Sequence, residues 1–233
     1  MKNADMKRLF SKFQKPLILL VVMMFLTILQ PGVFLTLGNF RSILLAISIY
    51  GIMVCGTIYT ILLGGIDLSV GAVAAMSGAW AVTIIVRNDY STSGVLLGIA
   101  VGLASGVLVG AIHGIIVSKF SVPPFLITLA SQNIVYGVAQ LLTNNQVISC
   151  LKPKLFTFIG GGRVFGIPFS VIIFAVVVLL SYYLMNKTVF GRRVYAVGGN
   201  REASDLSGVS SRRITIAAYA ISGFTAALAG IVL

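Results

Sequence analysis

A single carboxylate lies between two long apolar runs of this sequence. Asp67 is one of five acidic residues among 233, and it belongs to the segment GGIDLSVG at residues 64–71. Glycines weaken a regular helix, and Asp and Ser side chains accept hydrogen bonds from backbone N–H groups that are free at a helix start. The positions expected to form this helix break are Gly64, Gly65, Asp67, Ser69 and Gly71.

Two interpretations of the break remain open. Irregular backbone at membrane depth persists only where protein buries it or where it lines a water-filled route. The first interpretation is therefore a discontinuous helix beside a translocation route, with the five residues in its wall. In the second, residues 64–71 form an interfacial loop in which Asp67 caps the following helix. A proton relay is disfavoured, because one acid without an intramembrane basic partner makes a poor relay.

The sole histidine, His113, lies near one end of an apolar run, beside Gly110 and Gly114. We expect a structural role for it, because hydrogen bonding between helices is a sufficient explanation. The sequence contains no catalytic Ser/His/Asp set and no metal-ligand spacing, and its triple glycine at 160–162 lacks the flanking strand and Lys-Ser/Thr of a phosphate loop. We therefore expect no catalytic residues, no metal and no cofactor.

A second informative segment extends from Gly191 to Val209. Asn200 is a favourable N-cap, acidic residues follow it, and Gly208 suits the position just after a helix end. The pattern predicts a helix of about two turns over residues 201–207, which is marginal alone in water. The face expected to pack, either on the membrane domain or in a partner's cleft, contains Ala203, Leu206 and Ser207.

The composition places the chain in a membrane. Hydrophobic residues make up 58% of it and charged residues 9%, with a mean hydropathy of +1.05. A soluble domain has about 25% charged residues. The net charge of +12 does not predict nucleic-acid binding, because membrane proteins collect Lys and Arg in cytoplasmic loops. Arginine pairs at 192–193 and 212–213 suit lipid head groups or a partner protein.

The apolar runs predict an all-α integral membrane protein, a polytopic helical bundle with one broken-helix segment and about seven spans. The expected spans are about 17–37 with a kink at Pro31, 42–63, 70–86, 94–117, 124–142, 167–185 and 214–233. If the N-terminus is cytoplasmic, twelve lysines and arginines lie on the cytoplasmic side of the membrane and five on the outer side, which is the usual bias. Residues 1–15 are then a cytoplasmic basic tail, 16–233 a transmembrane domain, and 186–213 a cytoplasmic loop.

Glycines recur at every fourth position of the fourth predicted span. They are Gly94, Gly98, Gly102, Gly106, Gly110 and Gly114. Residues four apart lie on one slowly drifting face of a helix. Because small residues let helix backbones approach closely, this face is predicted to pack against another helix.

Four segments together resemble the membrane permeases of bacterial ABC importers for monosaccharides of the ribose, xylose and arabinose type. They are residues 64–71, residues 122–129, residues 191–208, and Ser222-Gly223 with residues 228–231. The first and third segments are the specific ones. The resemblance covers nearly the whole chain in family order.

The resemblance implies a transport subunit of the bacterial inner membrane that works by alternating access. Its implied partners are two cytoplasmic ATPase subunits, a second permease copy or paralogue, a periplasmic sugar-binding protein and membrane lipids. The helix near 201–207 would be the coupling helix that contacts the ATPase. Its implied coupling residues are Asn200, Arg201, Glu202, Ala203, Leu206 and Gly208. Family members have about ten helices, so the chain is expected to be a truncated form of a longer protein.

Two alternatives remain open at the level of sequence. An ABC permease for branched-chain amino acids or nucleosides shares the broad architecture, and the GGIDLS match at residues 64–69 favours sugars over these substrates. A different class is a non-transporting truncated form, acting as an ATP-independent channel or an assembly factor. Association with an ATPase subunit distinguishes this class from a transporter.

Overall fold

The computed structural model describes residues 2–233 except 121 and 149, with side chains described from residue 13 onward apart from those two. Its ten helices and two short strands are, in chain order, α1 Lys2–Leu29, α2 Leu37–Leu62, α3 Val70–Arg87, α4 Thr92–Phe120, α5 Pro124–Thr143, α6 Lys154–Gly161, β1 Arg163–Val164, β2 Ile167–Pro168, α7 Phe169–Lys187, α8 Val189–Gly199, α9 Arg201–Leu206 and α10 Ser211–Val232.

Six of these helices are long and apolar enough to cross a membrane, namely α2, α3, α4, α5, α7 and α10. A shorter apolar helix covers Phe13–Leu29. The strands are two residues each and pair antiparallel as a small hairpin. The predicted all-α polytopic class is therefore confirmed, with six spans of full length where about seven were expected.

The segment up to Leu44 differs from its prediction in three places. The expected span at 17–37 ends early, because α1 stops at Leu29, and a turn in which Val33 and Phe34 donate to the carbonyl of Gln30 follows. Pro31 therefore follows the helix end and does not kink a continuous helix. The expected loop at Asn39 is also wrong, since Asn39 lies in the first turn of α2.

The remaining unit, Leu45–Leu233, is built around the glycine face of α4. A Cβ at Gly98 or Gly102 would overlap backbone oxygens of α3. A Cβ at Gly106, Gly110 or Gly114 would overlap backbone atoms of α10. The predicted packing face is confirmed, and it serves two neighbours: its first half contacts α3 and its second half contacts α10.

The loop expected at 186–213 is mostly helical. Thr188 caps α8 by accepting the N–H of Gly191, and residues 189–199 form a helix that was not predicted from the sequence. Its glycines lower helix propensity and suggested a loop. At two of them the backbone packs closely: a Cβ at Gly191 would overlap the Met185 carbonyl, and one at Gly198 would overlap the carbonyl of Leu62.

A buried cluster joins α8 to the membrane helices. Tyr59 of α2 and Val194 of α8 are fully buried, and they pack with Met185 of α7 and Ile214 of α10. Burying side chains of this size contributes roughly 1.5–3 kcal/mol each. Helix α8 is therefore fixed against the ends of α2 and α10, which also places the short helix α9 that follows it.

Candidate functional site

The helix break lies between α2 and α3, as the sequence predicts. Helix α2 is closed by the N–H of Gly65, which donates to the Thr60 carbonyl at 2.9 Å. Gly64 has a φ of +77°, a backbone conformation that residues other than glycine rarely adopt. Residues 65–69 are irregular, and α3 begins at Val70. The break therefore depends on a glycine at position 64 for its first turn.

Asp67 is buried in this break and is a triple hydrogen-bond acceptor. Its Oδ1 accepts the backbone N–H of Ser69 at 3.1 Å and the Ser69 hydroxyl at 2.6 Å. Its Oδ2 accepts the hydroxyl of Ser222, from α10, at 2.7 Å. The expectation that Asp67 caps α3 is corrected in one respect: the N-cap of α3 is Ser69, which makes no side-chain cap bond because its hydroxyl is used on Asp67.

The backbone of the break is held by α5. Thr128 is fully buried, and its hydroxyl accepts the N–H of Leu68 at 3.1 Å. The same hydroxyl oxygen lies 3.2 Å from the carbonyl oxygen of Ile66. Buried backbone groups outside regular structure need such partners. Thr128 therefore holds the irregular backbone on either side of Asp67.

His113 is a basic partner for the break that was not predicted from the sequence. Its side chain is 2% exposed, with Nδ1 3.4 Å from the Ser69 hydroxyl oxygen and Nε2 2.6 Å from the hydroxyl oxygen of Ser131. The statement that Asp67 has no intramembrane basic partner is thus wrong, because one hydroxyl separates His113 from the carboxylate. The predicted hydrogen bonding of His113 between helices is confirmed, since α4 contacts both α5 and the break through it.

Tyr219 closes the other side of the break. It comes from α10, is 1% exposed, and packs so closely on Gly65 that a Cβ there would overlap its hydroxyl. Among the described residues its hydroxyl has no hydrogen-bond partner. A cavity of about 260 Å³ adjoins it. The lining residues include Gly64, Gly65, Pro124, Arg201, Thr215 and Tyr219.

Helix α9 matches the helix predicted at 201–207. The side chain of Asn200 caps it by accepting the N–H of Ala203 at 2.9 Å, and Gly208 follows its end with a φ of +81°. Ser204 is its buried residue, whereas Leu206 is 91% exposed. The alternative in which the face of Ala203 and Leu206 packs on the membrane domain is therefore wrong, because both side chains are exposed in this chain.

The exposed helix α9 is anchored to the start of α10. The Asp205 carboxylate accepts the N–H of Ser211 at 2.8 Å and its hydroxyl at 2.7 Å. Arg201 donates from Nε to the same Ser211 hydroxyl oxygen at 3.1 Å. The hydrogen bonds from Ser211 hold the pKa of the Asp205 carboxyl below its ordinary value. Helix α9 and α10 are therefore joined through charge-assisted hydrogen bonds, which are the stronger kind.

The residues predicted from the sequence lie together in two places in the structure. Gly64, Gly65, Asp67 and Ser69 lie at the break, and Asn200 through Gly208 lie at α9. The assignment of Gly71 to the break is wrong, because Gly71 lies in the first turn of α3. The residues that complete each group were not predicted from the sequence. These are Thr128, Ser131, Tyr219 and Ser222 at the break, and Asp205 with Ser211 at α9. The available signal was weak: Thr128, Tyr219 and Ser222 are single polar residues within apolar runs, and Ser131 begins the short polar segment 131–133.

Comparison with known proteins identifies the family. The family described as "Branched-chain amino acid transport system / permease component" matches residues 39–233. The ribose import permease protein RbsC of Escherichia coli is 37% identical over 97% of this chain and 71% of its own length. The corresponding protein of Bacillus subtilis is 36% identical over 92% of this chain and 66% of its own length.

A sugar permease of another name is also similar. The L-arabinose ABC transporter permease protein AraH of Azospirillum brasilense is 33% identical over 93% of this chain and 62% of its own length. No solved structure matches. The match to the family covers most of the chain, and the buried break and exposed α9 lie within it. The chain therefore belongs to the branched-chain amino acid transport system / permease component family, as a relative of the ribose and L-arabinose import permeases.

Proposed function

We propose that the chain is the membrane permease subunit of an ATP-binding cassette importer, which moves a monosaccharide across the bacterial inner membrane by alternating access. The observation that supports this most directly is a continuous connection from the exposed helix α9 to the buried helix break. The names of the similar permeases, for ribose and for L-arabinose, support the substrate class. The resemblance in residues 64–71 and 191–208 supports the same choice.

The first part of the connection is helix α10. Asp205 holds its first residue, Ser211, and Ser222 further along the same helix donates to Asp67. Eleven residues of helix span about 16 Å. Because a packed helix moves as a rigid element, a displacement of α9 is transmitted along α10 to the carboxylate in the break.

The second part of the connection is helix α8. It precedes α9 directly, and the backbone at Gly198 packs against the Leu62 carbonyl at the end of α2. A movement of α9 therefore acts on both sides of the break, through α8 on α2 and through α10 on Asp67. In the proposed cycle, closure of the ATPase dimer displaces α9 and these two contacts rearrange the translocation route.

Helix α9 would be the surface that contacts a cytoplasmic ATPase subunit. It presents Ala203 and Leu206 to solvent although both are apolar, and Arg201 with Glu202 adds charge beside them. An exposed apolar side chain with a charged rim is the usual composition of a protein contact. ATP hydrolysis then belongs to the partner, and the permease does no covalent chemistry. A second permease copy or paralogue and a periplasmic sugar-binding protein complete the proposed importer.

Leu206→Glu is expected to weaken ATPase binding by roughly 10- to 100-fold, because burying a Leu contributes about 1.5–3 kcal/mol. The variant is expected to fold normally, since Leu206 is 91% exposed. The measurement is the dissociation constant between the permease in lipid nanodiscs and its ATPase subunit, together with sugar-stimulated ATP hydrolysis in liposomes.

The matched control is Val147→Glu. Val147 is 97% exposed and lies in the loop between α5 and α6, far along the chain from α9. It receives the same type of substitution and is expected to leave ATPase binding unchanged. Equal binding by wild type and Leu206→Glu, with both proteins folded, would show that α9 is not the ATPase contact.

The proposed orientation counts the shorter apolar helix Phe13–Leu29 as a seventh crossing, with the N-terminus and residues 186–213 in the cytoplasm and the α5–α6 loop in the periplasm. Cys150 lies in that loop, whereas the other cysteine, Cys55, is buried in α2. We expect a membrane-impermeant maleimide to modify Cys150 in intact spheroplasts. The reaction is expected to be faster at higher pH, because burial raises the pKa of the Cys150 thiol and the thiolate is the nucleophile.

A cysteine on α9 tests the proposed cytoplasmic side in the same experiment. Ser207→Cys in a Cys150→Ser background places a thiol at the exposed end of α9. This variant is expected to react only after the cells are opened. If intact spheroplasts label the Ser207→Cys variant but not Cys150 of the wild type, the proposed topology is reversed.

The family description favours one alternative substrate class, branched-chain amino acids. Uptake of radiolabelled D-ribose by proteoliposomes with the complete importer distinguishes the two classes. Excess L-arabinose is expected to compete with D-ribose and excess L-leucine is not. Uptake of radiolabelled L-leucine without uptake of D-ribose would assign the permease to amino acids.

A further inference from the structure

We propose that His113 is a proton-binding site within the helix break. The bound proton places a positive charge opposite Asp67 across the hydroxyl of Ser69, and it turns the hydroxyl of Ser131 toward the Thr128 carbonyl. The proton site goes beyond the proposed transport function and does not depend on the identity of the transported molecule.

The first step concerns Nδ1 of His113. The hydroxyl of Ser69 has one hydrogen, and it points at Oδ1 of Asp67 over 2.6 Å, beside the backbone N–H that donates to the same oxygen. The Ser69 oxygen can then only accept from His113, whose Nδ1 is 3.4 Å away. Nδ1 therefore has a hydrogen in both protonation states.

The second step concerns Nε2. It lies 2.6 Å from the Ser131 hydroxyl oxygen, which is also 3.2 Å from the carbonyl oxygen of Thr128. When His113 is neutral, the Ser131 hydroxyl donates to Nε2. When His113 is protonated, Nε2–H donates to Ser131 and the hydroxyl rotates to the Thr128 carbonyl. Both states pair the buried polar hydrogens, so a single hydroxyl rotation accompanies proton binding.

The third step concerns the charges around the ring. Asp67, ahead of α3, is the acid that faces His113, with Ser69 between them. Helix α10 contributes the Ser222 hydroxyl and the phenol of Tyr219, and α5 contributes hydroxyls. Protonated His113 and ionised Asp67 form a pair of opposite charges joined by one hydroxyl. Buried charges in a membrane protein are tolerated when they are paired in this way.

The fourth step concerns access. A cavity of about 260 Å³ is lined by Gly65 and by Tyr219. Gly65 lies two residues before Asp67 in the break. Its lining also includes the exposed residues Gly64 and Arg201. At about 30 Å³ per water molecule it has room for several waters. The cavity therefore gives water access to the Gly65 end of the break, two residues from Asp67 in the chain.

The experiment uses the fact that His113 is the sole histidine of the chain. The chain labelled with ¹⁵N-histidine, in lipid nanodiscs, gives a ¹⁵N NMR spectrum of this residue alone. From about pH 5 to about pH 8, the range in which histidine titrates, Nε2 is expected to lose its proton while Nδ1 keeps it. An Nε2–H tautomer at high pH, or no titration in this range, overturns the proposal.

Two variants and a control test the network. Asp67→Asn removes the charge partner, and Ser131→Ala removes the acceptor of Nε2–H. Each is expected to lower the midpoint of the Nε2 titration, by about one pH unit or a tenfold loss of proton affinity. Ser105→Ala makes the matched change on α4, where the hydroxyl contacts Ser77 and not His113, and is expected to leave the midpoint unchanged. Equal midpoints in all four proteins contradict the network.

Transport provides the last readout. If the proposed transport function holds, the pH profile of uptake in proteoliposomes shifts with the NMR midpoint in Ser131→Ala. Absence of uptake at every pH, with the expected titration, leaves the proton site standing and contradicts the transport function. Uptake without any titration of Nε2 contradicts the proton site and leaves the transport function standing. A pH profile that does not move with the midpoint shows that proton binding is not linked to transport.

Discussion

Replacing Gly110 by Ala is expected to destabilise the protein by roughly 3 kcal/mol, at the upper end of overpacking penalties. The added methyl group would overlap the backbone of α10 at Tyr219, and neither backbone can move without separating α4 from α10. The same contact holds Tyr219 and Ser222 against the helix break, so residual folded protein is expected to lose uptake as well. The measurement is the unfolding midpoint in mixed detergent micelles, with uptake in proteoliposomes.

The matched control is Gly137→Ala in α5. A Cβ at Gly137 meets nothing within 4 Å, and the residue is helical like Gly110. Because Ala is the better helix former by up to about 1 kcal/mol, this variant is expected to be as stable as wild type or slightly more stable. Wild-type stability in Gly110→Ala would mean that the glycine face of α4 does not determine the packing of α10.

The spans were predictable because each depends on a local property of the sequence. An apolar run of about 20 residues forms a helix in a membrane wherever it occurs, since its backbone groups need internal partners. Glycines at every fourth residue of α4 likewise predict a close helix–helix contact, and this prediction needs the sequence of α4 only. The spacing does not show which helix packs there. In the structure, one half of the glycine face contacts α3 and the other half contacts α10.

The errors fall where tertiary contacts outweigh local propensity. Helix α8 contains glycines at 191, 198 and 199 and was predicted as part of a loop. Gly191 and Gly198 pack closely on Met185 of α7 and Leu62 of α2, and neither contact follows from the local sequence. The pairing of Asp67 with His113 was missed for the same reason. No rule of spacing relates a residue in an irregular segment to one 46 positions later in a helix, so the sequence did not show that the two are neighbours.

Replacing Asp67 by Ala is the second change with a large expected effect. It leaves the Ser69 N–H and the hydroxyls of Ser69 and Ser222 without their acceptor, at a site where Asp67 is 7% exposed. A buried donor without a partner costs about 1–3 kcal/mol, and the two hydroxyls recover part of this by rotation. We expect a destabilisation of roughly 2–4 kcal/mol and a loss of uptake of at least tenfold.

Asp67→Asn separates the hydrogen bonds of Asp67 from its charge. The amide oxygen still accepts from Ser69, and the amide nitrogen donates to the Ser222 hydroxyl, so the break keeps its hydrogen bonds. This variant is therefore expected to unfold like wild type, whereas Asp67→Ala unfolds earlier. If only the geometry of the break matters, the Asp67→Asn variant supports uptake. If the charge that faces His113 also matters, uptake fails in a folded protein. Normal uptake in Asp67→Ala, at a normal amount of folded protein, would show that the break works without its carboxylate.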